Sequence, residues 1–503
     1  MNILARIGRL LAAAALASAP ALLALFLVGR CFGVDLVAFC PAYDPDQFFY
    51  TREAATFAAA GFDGGYYGGD GRKAVLGRFG AHGAAYPVVY GLAAKAFGGW
   101  EDWLAPACNM VLVALALMVC ARRLPLPVFA ALAACLTFFP PMVFYLPTAY
   151  QDAPQMALGL VLGLALAGLA AAPSRRRLWG VLAGVFLASL TRPTWAVLFP
   201  AALFLAGPAG IKQAVRAAVL GGVCLAAAYA AFSLTASPWV AVAGTNPVSS
   251  LVSGGPAAAL PLLAANLRTL FDFSANRHHT LVLLLMASAV ALALAAPAGG
   301  RQAWLKGLAL HACNFLAPFC LYVAIYNGSG RHLTRLLAAH GALSLAYAAA
   351  GLPGRSRSLA LAPVLAGGLA LFPATVAEFS LYIRPAYDGV AAYRDRLAAQ
   401  AAAMDPALSL SLGAASPWLR TLAVPLRNMA VPYLAAPPAY GVEIYGPQGL
   451  DAPLAPGFAL LGPKEHAQAA GRTPLTPVAE TPEGTLYRND AAFGFAPWPG
   501  ARP

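Results

Sequence analysis

Apolar runs separated by short basic or glycine- and proline-containing interruptions fill the chain from Leu10 to about residue 380. The first, Leu10 to Val28, follows Arg6 and Arg9 and at ~20 residues is long enough to cross a bilayer core. Ala17-Ser18-Ala19 imitates a signal-peptidase site, but Pro20 and the apolar sequence continuing to Val28 mark an uncleaved anchor. Further spans are expected near 104–121, 126–146, 154–172, 178–191, 194–208, 217–236, 280–297, 304–326, 333–352 and 359–380, eleven in all with the anchor. The two flanking Thr191-Arg192-Pro193 are the shortest. The predicted fold class is therefore an all-α polytopic membrane protein. Composition agrees: 503 residues, 60% hydrophobic and only 11% charged, with a mean hydropathy of +0.67, exceed what a soluble core can hide.

Short loops rich in Lys and Arg stay cytoplasmic. With the N-terminus inside, Arg122-Arg123, Arg175-Arg176-Arg177, Lys212 and Arg216, Arg301 and Lys306, and Arg355 and Arg357 all fall on the inner side. The outer side then receives 31–103, 147–153, the turn at Arg192, the loop 237–279, the turn 327–332 and the tail from Ile383. Many of the positive residues behind the net charge of +13 lie in these inner loops, which argues against a nucleic-acid partner. Eight cysteines show no CxxC or Cys/His ligand spacing, so a thiolate metal site is not indicated. Cys31 and Cys40 face the oxidising side and are close enough in sequence to close a short disulfide loop.

The chemistry-bearing residues gather in the outer segments. Asp44-Pro45-Asp46-Gln47 reads as a helix start: Asp44 suits the N-cap, Pro45 the first helical position, and Gln47 completes a capping box, with the helix running to about Ala60 and Gly61 as the stop. Asp46, at the second helical position, projects from that start. It either complements the helix dipole or serves as a general base, although the dipole lowers a carboxylate pKa and weakens the base. Two carboxylates at this spacing also suit a divalent cation, with no ligand set that fixes one. The loop Gly61 to Gly71 combines glycines with Tyr66 and Tyr67, which offer flat surfaces of the kind that stack on sugar rings or sit at an interface. Arg78 and His82, one helical turn apart, could contact an anionic group before Tyr86 to Leu92 returns the chain to the bilayer.

An inside anchor, the acidic start Tyr43-Asp44-Pro45-Asp46-Gln47-Phe48-Phe49-Tyr50 of a long first outer loop, a stretch ending at Gly61, and His82 to Tyr90 leading into the next span resemble the integral-membrane glycosyltransferases of the C type (GT-C). The resemblance covers residues 1–380 in layout and 43–90 in motif. It implies transfer of a sugar from a polyprenyl-phosphate carrier on the outer face, with an acid in the first loop as base. Where many members carry an adjacent Asp-Glu pair, Gln47 follows Asp46 here, which leaves the second acid's role to Asp44 or Asp152.

Three further groups fall on the outer side. Asp152 and Gln155, in a loop that resembles the second outer loop of the same superfamily, read as another capping box. Arg192 interrupts apolar sequence at or below the membrane edge, where an ionisable residue is expensive; its expected partner is a lipid-linked phosphate. Arg331 and Arg335, four apart after Asn327-Gly328-Ser329-Gly330, share a helix face and form a second phosphate contact. His278-His279 is weak as a metal signal. Beyond Ile383 the apolar runs Ala407–Leu412, Val442–Tyr445 and Phe458–Leu461, with a helical stretch near Val390–Met404, suggest a small α/β extracytoplasmic domain over 383–503, loosely ordered from Thr473. The transmembrane domain is 1–382, including the outer loop 31–103.

Together these readings predict an inverting hexosyl- or pentosyltransferase of a bacterial inner membrane, its active site facing the periplasm. Asp46 is the base, Asp44 its neighbour, and Arg78, His82, Asp152, Arg192, Arg331 and Arg335 bind substrate. Partners are a polyprenyl-phosphate-linked sugar, a lipid, glycan or protein acceptor, and membrane lipids. The alternatives are a flippase for a lipid-linked saccharide and a non-catalytic scaffold.

Overall fold

The computed structural model describes residues 3–39, 45–64, 67–69, 78–80, 83–236, 247–295, 300–325, 330–412, 419–425 and 436–493. Two compact units organise the chain. One draws on Met1–Phe39, Pro106–Phe232 and Ala241–Tyr382, the other on Cys40–Ala105, Ser233–Val240 and Ile383–Pro503. The helices in chain order are α1 (Ile3–Phe32), α2 (Pro45–Ala60), α3 (Ala85–Ala96), α4 (Leu104–Arg123), α5 (Leu126–Thr137), α6 (Pro140–Tyr145), α7 (Asp152–Ala171), α8 (Arg175–Thr191), α9 (Leu198–Leu205), α10 (Ile211–Thr235), α11 (Pro247–Leu270), α12 (Phe273–Ala295), α13 (Arg301–His311), α14 (Ala317–Ile325), α15 (Gly330–Gly351) and α16 (Gly354–Leu412).

Among the described residues, seven helical stretches are long and apolar enough to cross a membrane: Arg6–Phe32, Leu104–Arg123, Asp152–Ala171, Ile211–Thr235, Pro247–Leu270, Arg301–Ile325 and Gly354–Gly389. Eleven spans were expected, and prolines explain part of the difference. Pro140-Pro141 divides the expected 126–146 into α5 and α6, and 194–208 opens on a 3-10 turn, Pro193–Val197, before the short α9. Conversely, the expected loop 237–279 contains the 24-residue α11.

The topology shows what α11 does. Helices α7 and α15 run parallel, because Gly159 lies on Ala339 and Gly163 on Leu343. Their lower-numbered ends meet at Asp152 and Arg335, and Ala171 and Gly351 mark the other end. Helix α10 begins at the Ala171 end, since Gln302 of α13 bonds Ala209 just before it, and Ala303 lies beside Ala171. Helix α12 begins at the Asp152 end, where His279 meets Thr334. So α11, between them, starts and finishes at the Asp152 end. A left-handed break at Gly255 (φ 72°), followed by Pro256 and by Pro261 a turn later, lets it double back. Length alone would count it as a span.

The α7–α15 pair is the spine of this unit. A Cβ on Gly159 would stand 2.3 Å from the Ala339 carbonyl oxygen, and one on Gly163 2.4 Å from that of Leu343. Small residues spaced four apart let two helix backbones touch, which is how helices gain contact in lipid without a hydrophobic driving force. Leu160, Leu166, Leu337, Ala342 and Leu343 are fully buried along the seam.

The second unit holds a six-stranded mixed sheet. Its strands are β1 (Tyr67–Gly69), β2 (Thr421–Pro425), β3 (Gly441–Tyr445), β4 (Phe458–Leu461), β5 (Leu475–Thr481) and β6 (Gly484–Asn489), in the order β1-β3-β2-β4-β6-β5. The β1–β3, β2–β3 and β2–β4 pairs are parallel, and the last two strands form an antiparallel hairpin. Two expectations change here. Tyr67 to Gly69, read as a connector or sugar-stacking loop, pairs with Val442 to Ile444, and the tail from Thr473, expected to be loosely ordered, supplies β5 and β6. Strands β2, β3 and β4 are buried at every position rather than at alternate ones, as suits a sheet covered on both faces. Leu422, Val424, Ile444 and Leu460 pack with Met404 and Leu408 of α16 and with Phe48 of α2. The run Ala407–Leu412 is therefore the end of a helix.

Gly159→Ala should lower the thermal unfolding midpoint, because overpacking a close seam costs on the order of 1–3 kcal/mol. Gly168→Ala on the same helix, where an added Cβ meets nothing within 4 Å, is the control and should leave the midpoint unchanged or slightly raised.

Candidate functional site

The first turn of α7 carries Asp152, whose side chain is fully buried. It is not an N-cap: Gln151 holds that position, no side chain caps the helix, and the expected capping box with Gln155 does not form. Instead Asp152 accepts two guanidinium bonds. Arg192 Nη2 donates to Oδ1 at 3.0 Å, and Arg335 Nε donates to Oδ2 at 2.7 Å. Burying one carboxylate between two cations satisfies the carboxylate and leaves the group net positive.

Local sequence explains each placement. Pro193 disfavours the helical region for the residue before it, so α8 ends at Thr191 and Arg192 is extended, at φ −155° and ψ 117°. Its backbone N–H still reaches the Ala188 carbonyl, which spares the break an unpaired group. Arg331 and Arg335 are successive turns of one α15 face. Arg335 stacks on the Tyr150 ring, 4.2 Å from its centroid, while Arg331 donates to the Tyr150 hydroxyl at 2.9 Å and lies 3.3 Å from the centre of the Tyr382 ring. Asn109 clamps the turn that carries Tyr150 through the Thr148 and Tyr150 carbonyls.

Two arginines therefore meet one fully buried acid, and a third, Arg331, joins them through Tyr150. Arg192 Nη1 is buried with no hydrogen-bond partner among the described residues. Nearby, His279 Nε2 lies 3.7 Å from Glu378 Oε1, which adds one negative charge at the rim without cancelling the excess. No cluster of three or more His, Cys, Asp or Glu suited to a metal occurs among the described residues.

Behind Arg192 runs a polar chain that sequence reading did not find. Trp195 donates its indole N–H to Gln155 Oε1 at 2.6 Å, and Gln155 also bonds Thr191. The Trp195 ring sits 4.7 Å from that of His340, which bonds Asn314 Oδ1 at 3.0 Å. Asn314 lies in a π-helical turn, Ala312–Leu316, between α13 and α14. The only sequence signal was the appearance of His340 and Asn314 inside apolar runs.

In the second unit, Asp46 is half-buried in the first turn of α2, and Gly61 ends the helix with φ +63°. Arg78 is exposed. Asp44, His82 and Cys40 lie outside the described residues. Arg52 ties α2 to the stretch before β3 through the carbonyls of Ala436, Pro437 and Tyr440. Glu53, missed from sequence because Arg52-Glu53 looks like an exposed charge pair, is fully buried. One of its oxygens accepts the Gly80 N–H at 2.6 Å, and the other has no partner among the described residues. Desolvation pushes its carboxyl up to about 8, against a smaller lowering by the Gly80 bond.

Fold and site define a polytopic helical membrane protein with a buried, net-positive arginine cluster at one end of its bundle. Among solved structures the chain is similar to ArnT from Cupriavidus metallidurans bound to undecaprenyl phosphate, at 14% identity over 95% of this chain and 99% of that one, with a TM-score of 0.46. The apo form of the same protein gives 13% identity, the same coverage and a TM-score of 0.45. No family model and no curated protein matches the sequence. At that degree of likeness the site rests on its own residues.

Asp152→Asn should leave two guanidiniums facing a neutral amide and cost about 3–5 kcal/mol, read as a lower unfolding midpoint in detergent. For Glu53, a folded pKa of about 8 against an ordinary value of 4.5 means that the folded state holds a proton the unfolded state releases. Stability should fall as pH rises between about 4.5 and about 8 and level off above, and Glu53→Gln should flatten that slope in a midpoint-versus-pH series.

Proposed function

We propose that this protein is a membrane glycosyltransferase that takes a sugar from a polyprenyl-phosphate donor. The observation that carries the reading is the Asp152 cluster. A buried carboxylate orients two arginines, a third lies one turn away, and the excess positive charge suits a phosphate leaving group. Asp152 itself accepts both bonds and so acts as a positioning residue, while Arg192, Arg331 and Arg335 are the phosphate ligands. Asp46 is assigned as general base on its place in the first turn of α2. An acceptor hydroxyl oxygen attacks the anomeric carbon, the bond from that carbon to the phosphate oxygen breaks, Asp46 takes the hydroxyl proton, and the electron pair leaves with the phosphate. One such displacement inverts the anomeric centre. Arg78 and His82 are assigned to the anionic part of the substrate, and the enzyme is placed in a bacterial inner membrane with its chemistry on the periplasmic side.

A flippase for a lipid-linked saccharide is the second reading, supported by the π-helical interruption and the buried Asn314–His340 pair within apolar helices. The two readings part on Asp46.

Asp46→Asn should abolish sugar transfer from a polyprenyl-phosphate-sugar while leaving the unfolding midpoint unchanged, and Arg192→Gln should weaken lipid-phosphate binding. Asp44→Asn should cost about 1 kcal/mol or less of stability through a weaker cap. Full transfer activity in Asp46→Asn sinks the base assignment. Lipid movement without any transfer product in the wild type favours the flippase.

A further inference from the structure

At the end of the helical unit opposite Asp152, a cavity of about 140 Å³ opens between α7, α13 and α15. Its walls are small and apolar where Ala167, Ala170 and Gly351 face it, and Trp304, Lys306 and His311 add an indole, an ammonium and a buried imidazole. The charge around it is one-sided. Between Asp102 and Glu378 the sequence contains just two acids, Asp152 and Asp272. Asp152 marks the far end of the bundle, and Asp272 sits in the turn between α11 and α12 at that same far end. The chain segments that leave α7 and α15 and enter α13 at the cavity's end carry Arg175, Arg176, Arg355 and Arg301 in sequence, and Lys306 in the lining has no carboxylate partner among the described residues.

We infer that this cavity is a headgroup site for an anionic glycerophospholipid, with Lys306 facing the phosphodiester and Ala167, Ala170 and Gly351 receiving the first apolar carbons. Charge complementarity selects that occupant. A lysine on a small apolar pocket whose lining holds no acid, at the end of the bundle where the connecting segments are basic, draws a negative headgroup, and basic pockets between helices on the basic-loop side of a membrane protein suit such lipids. Trp304 and Leu308, both partly exposed on the same helix, extend an apolar face for the acyl tails, and an indole is at home at headgroup depth. A zwitterionic lipid carries its own cation and gains less from Lys306. The site is distinct from the Arg192 cluster, which lies at the other end of α7, and it does not depend on the transferase reading.

The test uses the full chain purified in detergent and titrated with phosphatidylglycerol or phosphatidylcholine, with bound lipid counted by native mass spectrometry. Phosphatidylglycerol should bind about fivefold more tightly than phosphatidylcholine, the ratio expected for one lysine near an anionic headgroup. Lys306→Glu should erase that preference with an unchanged unfolding midpoint. Ala170→Leu, which fills the pocket and keeps the charge, should weaken the binding of both lipids. Equal affinity for the two lipids in the wild type, or an undiminished preference in Lys306→Glu, overturns the inference. So does one-for-one displacement of phosphatidylglycerol by undecaprenyl phosphate, which would make the retained lipid an occupant of the arginine cluster.

Discussion

The contact of Gly159 and Gly163 with the α15 backbone is the constraint on which the helical unit rests. In lipid, burying apolar surface gains a helix pair little, so a close seam has to come from shape, and a side chain at either glycine would collide with a carbonyl oxygen. That seam fixes two helices in parallel register. Parallel register brings the first turn of α7 against the first turns of α15, and Asp152 then has Arg335 within hydrogen-bond reach. The Asp152–Arg335 ion pair thus follows from a contact between uncharged residues.

The arginines are held in three different ways, and the difference bears on what each can do. Arg335 is stacked and salt-bridged, Arg331 is stacked on one aromatic ring and bonded to the hydroxyl of another, and Arg192 hangs from a backbone break with one nitrogen bound to Asp152. Planar guanidinium groups suit this arrangement because one edge can be anchored while the other remains a donor. Lysines at the same positions would offer point charges without a fixed fork.

Much of this was legible in the sequence, and most of what was not shares a cause. Arg192 stood out because a guanidinium in apolar sequence is costly, and Arg331 and Arg335 because a spacing of four places them on one helix face; α2 began where its Asp-Pro-Asp start placed it. Asp152 and Gln155 misled, since the spacing that makes a capping box serves equally well when both side chains turn to partners 36 to 183 residues away. Long-range pairing hid the rest. Nothing local in Tyr67 to Gly69 announces a partner at Val442, and nothing in the expected outer loop 237–279 announced that it holds α11, a helix that returns to the end it left. Glu53 was hidden by the opposite effect, a charged dipeptide that reads as solvated and is not.

The order in which Asp152 meets its partners has a consequence for how the chain enters the membrane. Arg192 follows it by 40 residues and Arg335 by 183. At a synthesis rate of about 5–20 residues per second, the second partner emerges roughly 10–40 s after the aspartate. During that interval the α7–α8 hairpin has to carry its acid with one arginine alone. The short sequence distance to Arg192 then does during biogenesis what Arg335 does in the finished protein: it keeps a carboxylate from standing unpaired in hydrocarbon.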